Sequence, residues 1–224
     1  MTIKPIGNLN AQLVDWNNRM YQMHPTPYNG LAGMIERARS RKVLEFAQIN
    51  PDDAVLELGC EAGNLLINVP LCRRIVGADI SSAALADAAK VFARRGRAAE
   101  FVQLDGQQRL PFSQGEFDVI ICSEMLEHVE NPKKVLDNLY AIATPDTRIV
   151  VSIPLESVKV FIKKCLNVTG LFKILFPRIE EGQSEWHLHA FSRRKLLEIS
   201  SDLYALKQQR AIWGSHYIAN LQMK

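Results

Sequence analysis

Cysteine is scarce and unpatterned, with Cys60, Cys72, Cys122 and Cys165 the whole complement in 224 residues. None forms a Cys-x-x-Cys pair or a zinc-finger spacing, which excludes a disulfide-stapled scaffold and points to a reducing compartment. Twelve glycines and ten prolines are too few for a collagen-like or low-complexity chain. Charge of either sign is not in excess: 27 Lys and Arg against 24 Asp and Glu leave +3, which by itself suggests no nucleic-acid partner. Long hydrophobic runs are also missing. The greasiest stretch, Val158 to Phe176, is broken by Lys159, Lys163, Lys164 and Lys173, whereas a membrane span needs about 20 mostly apolar residues. The first residues carry Lys4 and then polar side chains, without the apolar run of a signal peptide. A cytoplasmic location is the expectation. What remains, 47% hydrophobic and 23% charged, is the composition of one elaborated globular domain with a large core.

Between residues 54 and 154, apolar runs of strand length alternate with helical patterns. The runs are Ala54 to Leu58, Ile75 to Ala78, Phe101 to Leu104, Phe117 to Cys122 and Ile149 to Ile153. The first, fourth and fifth are nearly continuous, as in a parallel sheet covered on both faces. Helices are predicted over Ala62 to Val69, Ser82 to Arg95 and Pro132 to Ala143. Ser81 or Ser82 would cap the second, and Asn131 with Pro132 at the first helical position would open the third. Alternation of this kind predicts an α/β fold, a doubly wound and mostly parallel sheet with ligands at the carboxyl ends of its strands. Residues 1–50 read as a mostly helical N-terminal segment, with Met34, Ile35, Ala38, Val43, Leu44 and Ala47 on one stripe of a helix over 33–49. A domain over 51–224 follows, interrupted by an insertion at 155–190. It closes with a helix over 192–200 and a strand pair at 204–212 and 216–221.

Polar groups cluster at the predicted strand ends. Glu57-Leu58-Gly59-Cys60-Glu61-Ala62-Gly63 falls where the first strand turns toward a helix. Glycines there tolerate positive φ and let backbone approach a ligand. The Gly-x-x-x-Gly spacing lacks the full nicotinamide fingerprint, and alone it fits a structural turn equally well. Asp79 ends the second strand 20 residues after Gly59, the spacing at which an acid reaches ribose hydroxyls in such sheets; a loop acid or helix cap is the plainer alternative. Asp105-Gly106 follows the third strand, and Ser123-Glu124-Met125-Leu126-Glu127-His128 the fourth. Four consecutive strands thus bring polar groups to one edge.

In that order and spacing, the Glu57–Gly63 segment, Asp79, Asp105 and the Phe117–His128 segment resemble the successive motifs of class I S-adenosylmethionine-dependent methyltransferases, closely over residues 50–155. The stretch from Cys122 to Val129 is most similar to ubiquinone-biosynthesis O-methyltransferases. The resemblance implies a seven-stranded sheet with its last strand antiparallel and S-adenosyl-L-methionine as cofactor. It also implies a cofactor site of Glu57, Gly59, Cys60, Gly63, Asp79, Ile80, Asp105, Gly106 and Ser123. Gly59 and Gly63 would line the methionine end, Asp79 would hold the ribose, and Asp105 with Gly106 the adenine. His128 is the candidate base, because an imidazole near neutrality suits deprotonation of a hydroxyl; a histidine hydrogen-bonded at a helix start is the equal alternative.

One departure stands out: the family usually has glycine where this chain has Glu61, so the turn differs or strain is stored there. Glu124, Glu127 and His128 lie three and four apart, and Glu185-Trp186-His187-Leu188-His189 offers a further histidine. Small-RNA 2′-O-methyltransferases use a similar Glu-x-x-Glu-His with a distant His to hold a divalent ion. The commoner reading makes Glu127 a helix-start acid and assigns no metal. His187 or His189 precedes Ser192, an expected N-cap. Within the insertion, Val158, Phe161, Ile162, Cys165 and Leu166 form an amphipathic stripe, expected as a lid or as a peripheral membrane contact. Trp16, Tyr21, His24 and Tyr28 are candidates for the opposite wall of an acceptor pocket. The leading expectation is methyl transfer to a hydroxyl of a small, apolar or aromatic molecule, with no nucleic-acid partner. A metal-assisted RNA 2′-O-methyltransferase and a non-catalytic cofactor-fold binding protein are the alternatives, and a nicotinamide oxidoreductase is the weakest.

Overall fold

Val55, Leu56 and Leu58 in the first apolar run, Val119 to Cys122 in the fourth and Ile149 to Val151 in the fifth are all buried. Such runs can be hidden only inside a sheet covered on both faces, and the computed structural model has that form. It describes residues 3–7, 9–23, 30–155 and 187–224. Along the chain run β1 (Ile3–Pro5), α1 (Ala11–Met23), α2 (Gly30–Ala47), β2 (Ala54–Leu58), β3 (Arg74–Asp79), α3 (Ser82–Arg94) and β4 (Glu100–Gln103). Then come β5 (Val119–Ser123), α4 (Pro132–Ile142), β6 (Arg148–Pro154), α5 (Arg193–Ser200), β7 (Tyr204–Ile212) and β8 (His216–Met223).

Among the described residues the sheet has eight strands in the order β1-β4-β3-β2-β5-β6-β8-β7. Every pairing from β1 to β6 is parallel, and β8 runs antiparallel between β6 and β7. The seven strands from β4 to β7 follow the expected architecture. The eighth, β1, adds an edge beside β4, with Ile3 opposite Phe101, inside a segment expected to be mostly helical. The order reverses direction at β2, whose neighbours are β3 and β5, so a crevice opens at their carboxyl ends.

Alternation along each strand divides the core. Ala54, Leu56 and Leu58 join Ile120, Cys122, Ile149 and Val151 on the face covered by α4 and α5. Val55, Val119, Ile121 and Val150 face Val43, Phe46 and Ala47 of α2 and Leu85, Ala88 and Phe92 of α3. Thus α2, which precedes residue 51, supplies the same core as the strands. At the carboxyl ends of β2, β5 and β6 the period of two puts Glu57, Ser123 and Ser152 on this second face, and all three are buried. The expected caps form: Ser81, Asn131 and Ser192 accept from the backbone N–H of Ala84, Lys134 and Lys195.

The helix predicted over Ala62 to Val69 is absent. Gly63 holds φ at +72°, a left-handed geometry that interrupts a helix. Only a 3-10 turn forms, at Leu66–Asn68, and it ends where Val69 is extended before Pro70. The expected lid stripe, His24, Tyr28 and Glu185-Trp186 lie outside the described residues. Among the described residues no helix is long and apolar enough to cross a membrane.

Candidate active site at the carboxyl edge of the sheet

A cleft of about 320 Å³ lies at the β2, β3, β4 and β5 ends. The turn after β2 forms its floor. Gly59 sits at φ +78° and its N–H donates to the Ala78 carbonyl at 2.8 Å. A Cβ on Gly59 would lie 2.9 Å from Met125 Cβ, and one on Gly106 2.6 Å from Met125 Cε. Met125 is therefore wedged between two loops that must both lack side chains at those points. Glu61 follows at φ +47°, so the turn is kept with a non-glycine residue in it.

Asp79, at the end of β3, ties the turn to α3. One carboxylate oxygen accepts from the Glu61 N–H at 2.9 Å and the other from the Ser81 N–H at 2.8 Å. Burial pushes its carboxyl above the ordinary range, while these hydrogen bonds work in the opposite direction. After β4, Asp105 accepts from the Gln107 N–H at 2.9 Å, and Asn138 of α4 donates to the Gly106 and Gln108 carbonyls at 2.9 and 2.7 Å. That clamp fixes the loop in which Asp105 stands.

Glu57 is 2% exposed. Burial drives its carboxyl up to about 8 against the pull of Arg39, with Asp79 and Glu61 adding to the rise. Its Oε2 has no hydrogen-bond partner among the described residues. Cys60 is buried, and that burial raises its thiol well above the usual range, which marks it as an unreactive wall of the cleft.

After β5 the chain makes a second strained step, with Glu124 at φ +53°. Its carboxylate accepts from the Ser152 hydroxyl at 3.0 Å and lies 3.2 Å from His216 Nε2. Glu124 is thus engaged by Ser152 and His216, and among the described residues it is not in the group of close ligand atoms that holds Glu127 and His128. Leu126–His128 is a 3-10 turn. The Glu127 carbonyl accepts from the N–H groups of Leu188 and His189 at 2.8 and 3.2 Å, and this seats the 187–189 segment on the turn. The His128 and His187 rings pack edge to face with centroids 4.9 Å apart. One ligand atom from each of Glu127, His128 and His187 lies within 4.8 Å of the others.

All but one of the residues expected at the site line this cleft: Glu57, Gly59 and Cys60 from β2 and its turn, Asp79 and Ile80 after β3, Asp105 and Gly106 after β4, and Ser123 with His128 after β5. Gly63 does not. It lies beneath the turn, where a Cβ would meet the Phe92 ring at 3.2 Å and Ala88 at 3.3 Å, so its part is packing against α3. Tyr21 also lines the cleft and donates to Asp87 at 3.1 Å, on an α1 pinned by Asn18, whose carbonyl oxygen accepts from the Ser81 hydroxyl at 2.8 Å. Of the other expected wall residues, Trp16 is not among those lining it.

Arg39, Glu36 and His216, which line or support the cleft, were not expected. Arg39 of α2 is 6% exposed. Its guanidinium donates to Glu36 at 2.7 and 3.0 Å and to the Ser123 hydroxyl. A signal was present: Arg39 occupies the buried stripe one turn before Val43, where a charge needs a partner. Glu36 would follow from it by the i, i+3 spacing. His216 stands at the start of a strand, 2% exposed, with Nδ1 2.9 Å from the Ser215 hydroxyl, and nothing in the sequence pattern singles it out.

A family model described as a methyltransferase domain matches residues 32–202. The chain is similar to a ubiquinone biosynthesis O-methyltransferase of Pseudomonas aeruginosa, 27% identical over 152 residues that make up 65% of this chain and 64% of the relative. It thus spans less than two-thirds of that relative's length. Among solved structures, the magnesium protoporphyrin IX methyltransferase of Synechocystis PCC 6803 with bound S-adenosylhomocysteine (SAH) superposes with a TM-score of 0.65, 19% identity and 96% coverage of both chains. The [4+2]-cyclase SpnF superposes with a TM-score of 0.70, 13% identity, and coverage of 100% of this chain and 99% of its own. At those identities the two structures speak for the fold alone.

Proposed function

The chain belongs to the methyltransferase domain family, and from that premise we propose that it moves the methyl group of S-adenosyl-L-methionine to a hydroxyl of a small, apolar or aromatic acceptor. One observation carries the reading: four successive strand ends turn Gly59, Asp79, Asp105 and Ser123 into a single cleft. In this reading Gly59 and Cys60 face the methionine end, with Glu57 behind them and Gly63 shaping the turn from below. Asp79 and Ile80 take the ribose, and Asp105 with Gly106 the adenine. When bound, the donor supplies a methyl group on a sulfonium, which leaves as a neutral thioether. The protein's task is then to position the acceptor in line and to exclude water. His128 accepts the hydroxyl proton on its imidazole as the oxygen–carbon bond forms. Ser123, held by Arg39 and by Ser152 at 2.8 Å, completes the cofactor wall at the end of β5. Small-molecule biosynthesis in the cytoplasm is the setting this chemistry fits.

Titration calorimetry with S-adenosyl-L-methionine tests the cofactor half. Asp79→Ala is expected to weaken binding by more than tenfold, because it removes the ribose acceptor and frees the Glu61 turn; an unchanged dissociation constant removes Asp79 from the site.

A second reading has its own observation in the Glu127, His128 and His187 group. One carboxylate and two imidazoles suit a divalent transition metal, which would then activate the acceptor hydroxyl in place of a free base. Dialysis against a chelator separates the two: activity lost and restored by Mn²⁺ or Zn²⁺ favours the ion, and activity unaffected by chelation favours His128 as base. The near balance of charge offers no support to an RNA acceptor in this second reading.

A further inference from the structure

Glu61 stands where the resemblance expects glycine, yet the backbone still takes the left-handed turn a glycine would make. Its N–H is held by Asp79 at 2.9 Å. Because the turn survives, what the substitution adds is the side chain. That side chain borders the cleft, and its negative charge reaches three groups in the wall, helping to raise Glu57, Cys60 and Tyr21. Among the described residues lining the cleft, Arg39 alone brings a guanidinium or ammonium group, and it is engaged by Glu36 and Ser123.

The methyl donor and its demethylated product share the adenosine, the amino group and the carboxylate. They differ by one methyl and by the positive charge of the sulfonium. Hydrogen bonds to the shared groups cannot tell them apart, whereas a carboxylate in the cleft wall can. We propose that Glu61 is a specificity-determining residue that favours the positively charged methyl donor over the neutral thioether product, so that product is shed rather than retained after transfer. The inference rests on the reading of the cleft as an S-adenosyl-L-methionine site and adds to it a preference set by charge.

Calorimetric titration of the intact protein with S-adenosyl-L-methionine and, separately, with SAH provides the test. It is run on the natural sequence and on Glu61→Gln and Glu61→Gly. Glutamine keeps the size of the side chain, and glycine suits the positive φ, so a fault in the turn would not affect the two variants alike. Strain relief acts on both ligands equally and cancels in the ratio of their dissociation constants. That ratio, donor affinity over product affinity, is expected to fall about tenfold in both variants. A ratio unchanged in either folded variant, with both ligands still bound, overturns the role of Glu61 and leaves the cofactor site standing. No binding of either ligand by the natural protein overturns the site and the role together.

Discussion

At neutral pH the buried Glu57 carboxyl holds its proton, because burial raises it from its ordinary 4.5 to about 8. Between those two values the folded chain binds a proton that the unfolded chain has released. This contribution to stability is fully present below about pH 4.5 and is lost as pH rises through about 8. The slope is at most about 1.4 kcal/mol per pH unit. Glu57→Gln keeps the neutral shape and removes the titration. Urea unfolding is expected to show the variant gaining about 1–3 kcal/mol on the natural protein between pH 6 and 9, and parallel stability curves would rule the buried acid out as the cause. At His128 the expectation is kinetic. His128→Ala should lower turnover by about 10²–10⁴-fold with donor affinity nearly unchanged, and full retained turnover would reduce His128 to a packing partner of His187.

Two elements carry the cleft, and their legibility differed. The turn after β2 was readable because Gly59 needs positive φ and no side chain, so Gly59→Ala meets Met125 at 2.9 Å. We expect it to cost about 1–3 kcal/mol and to be read as a fall in melting temperature; an unchanged melting temperature would mean that Met125 gives way freely. The role of α2 was not readable from periodicity, which reports only that a face is apolar. Arg39 lies within that face, and its partners Ser123 and Ser152 come 84 and 113 residues later in the chain. Arg39→Met is expected to destabilise by about 3 kcal/mol or more, since Glu36 would lose its cation; loss of less than about 1 kcal/mol would show the guanidinium to be solvated in solution. Likewise, the Ala62 to Val69 pattern is helical in spacing, and it was Gly63 and Pro70 that prevented the helix.

For the whole molecule, the doubly wound and mostly parallel sheet was legible from the alternation of strand-length runs with capped helices, because burial on both faces leaves a strong signal. The edge strand β1 was not, since three residues beside β4 carry no period. The strand-end residues that line the cleft were named because the resemblance to methyltransferase motifs implied them, and a doubly wound sheet puts its ligands at the carboxyl ends of its strands. His216 was missed because its place depends on tertiary contacts alone, and Glu36 because it becomes visible only once Arg39, three residues on in the same helix, is seen to need a partner. A fold of this kind supports more than one chemistry, so the central claim is local: that the four strand ends surround one adenosyl group. A crystal structure with SAH tests it most directly. The account predicts the ribose hydroxyls on Asp79 and the adenine beside Asp105 and Gly106; density for the ligand elsewhere, with this cleft holding only water, would contradict it.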